Sequence, residues 1–319
     1  GTSYDAPLFF RKGKMLRLSP YCRSALWGGT RLRDEFGLNC EGDNLAEAWM
    51  LSCENGKSSI ITNGMYAGKT MADYIAAEGN RVLGSHCAAL AHFPLLVKYI
   101  DAREGLSIQV HPNDEYSAKH EGQWGKTEMW YILDAEPESY LFIGPEHTIS
   151  KEEFSESVED HSLPNLLHKQ YVKPGDAYLI PAGTIHAIGK GILLAEIQQS
   201  SDVTYRVYDY DRRDNRGRPR ELHIQKACEV VNLTPVCQTN DFRGHLICCQ
   251  YFTVDEKMGC TQGYCGKESF VVVLPISGSG TIASEGETFQ MECGSCFFLP
   301  ADSGEYFVAG NCKYLIASV

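Results

Sequence analysis

The alternation in Ser107-Ile-Gln-Val-His-Pro112 puts Ser107, Gln109 and His111 on one face of a strand, with Ile108 and Val110 on the other. A polar row on such a strand marks a site. In the next strand, Gly125 to Leu133, Lys126, Glu128 and Trp130 share one parity, while Met129, Tyr131 and Leu133 share the other. A third segment, Lys173 to Ile188, runs turn, apolar strand, turn, and presents His186 at the start of a further strand. The pattern predicts one metal site made by Gln109, His111, Glu128 and His186. Leu95 to Ile100 reads as a buried strand carrying one cation, Lys98, which is costly to bury without an anionic partner.

Elsewhere the first hundred residues alternate short β-like runs with Gly and Asn turns. Helices are predicted over 70–77, with Thr70 as cap, and over 113–120. Another starts at the capping box Ser150-Lys-Glu-Glu153 and continues in pieces to Leu167; a fourth covers 221–231. After residue 240 only strands are expected, near 243–254, 269–276, 280–284, 287–291, 296–300 and 313–319. Gly175-Asp-Ala-Tyr-Leu-Ile-Pro-Ala182 aligns with Gly294-Ser-Cys-Phe-Phe-Leu-Pro-Ala301, and Glu305 stands where the first copy has His186. The expected fold is therefore mainly β: two jelly-roll barrels with a small helical insertion (about 146–170 and 221–232). A catalytic domain would span 1–239, and a trailing β domain without a metal site 240–319.

Length permits a substantial core: 319 residues, 43% apolar and 22% charged, are ordinary for a globular chain. A net charge of -12 argues against nucleic-acid and membrane-surface partners and requires a local basic cluster for any anionic substrate. No apolar run approaches the roughly 20 residues of a spanning helix, and Gly1-Thr-Ser-Tyr-Asp-Ala6 lacks the regions of a secretory signal. The 13 cysteines, an odd count, are expected to be mostly reduced, buried thiols of a cytoplasmic protein. Cys293/Cys296 and Cys260/Cys265 lack the matched tight pairs of a zinc ribbon. Of ten histidines, only His111 and His186 have a ligand's setting.

Two imidazoles, a carboxylate and an amide oxygen suit zinc, manganese or iron, with coordination positions left for water or substrate. A purely structural zinc would prefer thiolates. Arg206, in Thr204-Tyr-Arg-Val-Tyr-Asp209, reads either as a site cation or as a sheet-edge residue paired with Asp202 or Asp209. The basic run Arg212 to Arg220 is a solvated loop, or one that gates the pocket or steers an anion towards it.

Four ordered segments resemble the type I phosphomannose isomerase family, in its short bacterial form: Leu95-Leu-Val-Lys-Tyr-Ile-Asp-Ala102, Leu106-Ser-Ile-Gln-Val-His-Pro-Asn113, Gly125-Lys-Thr-Glu128 and Pro181-Ala-Gly-Thr-Ile-His-Ala187. Leu26-Trp-Gly-Gly-Thr30, Glu47-Ala-Trp49 and the run from Glu196 to Asp209 add to the match, which covers roughly residues 15–230. The resemblance implies a zinc-dependent cupin, with one zinc ion per chain, that interconverts mannose 6-phosphate and fructose 6-phosphate through a cis-enediol. It places the ligands on Gln109, His111, Glu128 and His186 and the catalytic arginine on Arg206. Glu196, Lys98, Lys126 and Ser107 fall on pocket positions. We expect Arg206, Glu196 and Lys126 to be catalytic, and Ser107 and Lys98 to bind the sugar phosphate. Glu196 is the expected proton carrier, tuned towards neutrality by burial, with a metal-bound hydroxide or a lysine as alternatives. Thr127 departs from the proline that many members carry between the Lys and the Glu. A monomer or homodimer in the cytoplasm is expected. The competing readings are an iron-dependent cupin dioxygenase and a non-catalytic cupin that binds sugar phosphate.

Overall fold

The computed structural model describes residues 14–214, 216–238 and 241–319. The first six residues, on which the reading of the N-terminus rests, lie outside these. The described residues are mainly β, in three sheets. A six-stranded sheet runs in the order Ala177–Ile180, Glu128–Ala135, Ile192–Gln199, Leu95–Ala102, Tyr21–Gly29, Leu45–Leu51. A five-stranded sheet runs Tyr205–Tyr208, Ile108–Val110, His186–Ile188, Tyr140–Pro145, Leu167–Tyr171. Both are antiparallel throughout, and the path of strand pairing closes neither into a barrel.

The third sheet has nine strands and carries the C-terminal β region, but it also recruits Leu16–Ser19 and Ile60–Ile61 from the other end of the chain. Two strands expected separately, 269–276 and 280–284, are one, Val271–Ser284. It survives Pro275 through a register shift between Pro275 and Ser277, where a missing N–H is tolerated. Gly278 (φ +70°) completes the irregularity, since a Cβ there would lie 2.0 Å from the Asn311 carbonyl.

The two aligned segments share a local conformation, though the strand after the first lies in another sheet and the strand after the second in the same one. Ala177–Ile180 and Cys296–Leu299 are both strands; Gly175 and Gly294 both have φ +91°, and the turns that follow place Gly183 and Asp302 in the same left-handed region. His186 is buried, whereas its counterpart Glu305 is exposed and accepts a hydrogen bond from Gln262.

The helices follow their caps. Met71–Glu78 opens on a reciprocal box between Thr70 and Asp73, and Asp114–His120 opens on Asn113. Ser150 caps Lys151–Glu159 through the Glu153 N–H, followed by a short turn at Leu163–Leu166. The helix expected from 221 starts only at Ile224, because the His223 N–H is drawn to the Arg206 carbonyl (2.7 Å) and holds that stretch against the strand Tyr205–Tyr208. These last helices bury Phe154, Val158, Leu163 and Ala227 in one apolar cluster.

Among the thiols, Cys22 and Cys40 form a disulfide, their Cα atoms 6.0 Å apart. These two are the exception to the expectation of mostly reduced cysteines; the other eleven are free, of which Cys87, Cys265, Cys296 and Cys312 are buried and Cys237 and Cys260 exposed. Among the described residues, no helix is long and apolar enough to cross a membrane.

Candidate metal centre

Strand register assembles the centre. Gln109 lies opposite His186 on one neighbouring strand and opposite Arg206 on the other. Glu128 opens its strand opposite Ile180 and Gln198. His111 follows the strand Ile108–Val110 and is fixed there by a bond from Gly183 N–H to its carbonyl (2.8 Å). The ligating atoms of His111, Glu128 and His186 thus lie within 4.8 Å of one another. Glu128 Oε2 is 3.5 Å from His111 Nε2, and Glu128 Oε1 is 3.3 Å from His186 Nε2. Gln109 is half-buried beside them and faces the cleft.

All three residues are at most 1% exposed, yet His111 Nε2, His186 Nε2 and both Glu128 oxygens make no hydrogen bond. Four buried polar atoms converging without a hydrogen bond are expensive unless a cation joins them. The tautomer agrees: His186 Nδ1 donates to the Thr184 carbonyl (2.8 Å), leaving the Nε2 lone pair aimed inward. Burial, then the charge of Lys126, holds His111 well below the ordinary imidazole range, and burial lowers His186 to about 4, so both imidazoles are neutral, the form a metal ligand requires. Without a cation, burial and the nearby Glu196 charge push Glu128 up to about 8. The donor set and its orphaned atoms fit a divalent metal.

Above this floor opens a cleft of ≈210 Å³, whose lining includes Lys98, Ser107, Gln109, Lys126, Glu196 and Arg206. Six of the nine expected site residues thus line one cleft, and Lys126 among them reaches Glu128 of the buried trio. Lys98 lies opposite Glu196 in the register, its Nζ 3.0 Å from Glu196 Oε1 and 3.7 Å from Glu47 Oε2. Glu196 Oε2 accepts from Trp130 Nε1 (2.9 Å). Burial alone would raise Glu196, but Lys98 and Lys126 outweigh it and hold this carboxyl below its ordinary range. The expected tuning towards neutrality is thus reversed. Lys126 Nζ stands 3.5 Å from Glu128 Oε2.

Arg206 pairs with neither Asp202 nor Asp209. Its Nε donates to Ser107 Oγ (3.2 Å) and Nη1 to the Glu221 carbonyl (2.9 Å), and its side chain makes no hydrogen bond to a carboxylate of the described residues. Asp202 belongs to Lys57, and Asp209 accepts from Arg212 (2.6 Å) and Arg220 (2.7 Å). The basic run is therefore anchored by a buried carboxylate, with Arg220 on the cleft wall.

Trp130, Glu47 and Trp49 join the site without being among the site residues the sequence pattern singles out. Trp49 Nε1 donates to Glu47 Oε2 (2.6 Å) and its ring lies 4.9 Å under Lys98 Nζ. The signals were present: Trp130 shares the parity of Glu128, and Glu47 that of Trp49.

Residues 15–154 match the family "Phosphomannose isomerase type I, catalytic domain", and residues 243–319 match "Mannose-6-phosphate isomerase, cupin domain". The chain is 39% identical to a probable mannose-6-phosphate isomerase, GmuF, of Bacillus subtilis strain 168, over 95% of this chain and 98% of that one. It is 36% identical to mannose-6-phosphate isomerase ManA of the same strain, over 98% of both. Among solved structures, the mannose 6-phosphate isomerase from Bacillus subtilis superposes with a TM-score of 0.88 at 35% identity, over 96% of this chain and all of that one.

Proposed function

This chain belongs to the type I phosphomannose isomerase family, and from that premise we propose that it interconverts mannose 6-phosphate and fructose 6-phosphate with one zinc ion. The observation that carries the reading is the set of buried atoms of His111, Glu128 and His186 that make no hydrogen bond, next to a cleft lined by cations. Gln109, His111, Glu128 and His186 would hold the metal. When bound, zinc supplies Lewis-acid polarisation of the sugar's carbonyl and hydroxyl oxygens.

Isomerisation moves a proton between C2 and C1 through a cis-enediol, with negative charge growing on the carbonyl oxygen. Arg206, which donates to Ser107 and to no carboxylate, would stabilise that charge. Glu196 is the proton carrier in this reading: Lys98 and Trp130 fix its carboxylate and keep it ionised. Its depressed pKa makes it a weak base, so transfer depends on Arg206 and the polarised carbonyl acidifying the C–H. Lys126 is the alternative carrier. Ser107 and Lys98 face the sugar phosphate, which the cleft's cations attract despite the net charge of -12.

We further read the two N-terminal sheets as one open cupin jelly roll and the C-terminal β region as a second. The enzyme acts in the cytoplasm as a monomer or homodimer. Incubating zinc-loaded protein with fructose 6-phosphate in D2O tests the reaction. Mannose 6-phosphate carrying some solvent deuterium at C2 is expected; no mannose 6-phosphate would overturn the activity, and product with complete retention of the original hydrogen would overturn transfer through a solvent-exchanging carrier.

A further inference from the structure

Thr127, between Lys126 and Glu128, is only 6% exposed, and each of its polar groups is tied to another wall of the site. Its N–H donates to Gln199 Oε1 (2.9 Å), its carbonyl accepts from Gln199 N–H (3.0 Å), and its hydroxyl accepts from Ala182 N–H (3.1 Å). Gln199 Nε2 in turn donates to Asp114 Oδ1 (2.9 Å), and the same oxygen accepts from Gly125 N–H (2.7 Å). Next door, Lys126 N–H donates to the Pro112 carbonyl (3.0 Å).

These bonds join the four segments that carry the centre. Pro112 follows His111, Ala182 lies on the turn leading to His186, and Gln199 ends the strand that holds Glu196. Glu128 is attached directly to Thr127. We propose that Thr127, Gln199 and Asp114 form a positioning clamp that sets the spacing of His111, Glu128 and His186 and thereby the affinity for metal; this rests on the metal reading above. Metal–ligand distances tolerate only about 0.2 Å of error, and a valine or alanine in the clamp frees the start of Glu128's strand to move by more. A proline at 127 would have neither the N–H nor the hydroxyl that these bonds use.

The test is zinc affinity of the folded protein by competition with a chromogenic chelator, beside urea unfolding of the metal-free form. Thr127→Val and Gln199→Ala are each expected to raise the zinc Kd about 10-fold or more, the usual loss when a group orienting a ligand is removed. Thr127→Ser, which keeps the hydroxyl, is expected to bind as the unaltered chain does. If Gln199→Ala fails to fold, the Val and Ser pair at 127 decides. An unchanged Kd in Thr127→Val, with metal-free stability lowered, would make the clamp structural only and overturn the inference while leaving the metal reading intact. Failure of the unaltered chain to bind zinc would overturn both.

Discussion

His186 spends one ring nitrogen on the Thr184 carbonyl and has only the other to offer inward, while His111 and Glu128 complete a buried trio with no hydrogen bond among their facing atoms. Replacing His111 with alanine removes one corner of that trio. Metal content in His111→Ala is expected to fall from about one ion per chain to near zero, and full content by elemental analysis would contradict the assignment. Arg206 is different, since its side-chain hydrogen bonds go to Ser107 and the Glu221 carbonyl and not to an expected ligand. Arg206→Ala is expected to keep its zinc and lose roughly 100-fold or more in kcat, the scale for deleting one group that stabilises developing charge. Near-normal turnover would remove Arg206 from the reaction. Strand parity made Gln109, His111 and Glu128 legible, because alternate positions share a face whatever the fold. It did not reveal the direction of the Glu196 shift, which depends on Lys98 arriving opposite it from a strand about a hundred residues earlier.

At the level of elements, the helices were the most readable because their signals are local. Thr70 and Asp73 satisfy each other's backbone N–H groups, and Thr70→Ala is expected to cost about 1 kcal/mol in urea unfolding. An unchanged midpoint would mean the box adds nothing. Strand pairing was less legible. Nothing local indicates that Ile60–Ile61 joins Leu16–Ser19, or that Val271–Ser284 runs unbroken past a proline, since partners are chosen by packing between distant segments. The disulfide between Cys22 and Cys40 was hidden for the same reason: spacing alone does not bring two Cα atoms to 6.0 Å.

Over the whole molecule, one apolar cluster joins both ends of the chain: Leu95, Tyr74 and Phe93 from the N-terminal part with Phe252, Phe270 and Phe298 from the C-terminal β region. Phe93 stacks on Phe270 with centroids 5.4 Å apart. A chain ended at residue 239 is therefore expected to be insoluble or unfolded, and a soluble, cooperatively melting fragment would show that the two parts fold independently. Acid should also loosen the region around the cleft through Asp209. Burial would raise this carboxyl, but Arg220 and Arg212 hold it below its ordinary value. A depressed folded-state pKa means the stabilisation is present above the unfolded value of about 3.9 and is lost as pH falls through the folded one. The stability gap between the unaltered chain and Asp209→Asn is thus expected to narrow below about pH 4; a gap that stays constant to lower pH would contradict this.

The central claim is that His111, Glu128 and His186, with Gln109, hold a metal on which sugar-phosphate isomerisation depends. The direct measurement is a coupled assay of mannose 6-phosphate conversion on one preparation, before chelation, after metal is removed to below one-tenth of an ion per chain (roughly, as needed to read a tenfold loss), and after zinc is restored. The account predicts that activity disappears with the metal and returns with zinc; undiminished turnover by the metal-free protein would contradict it.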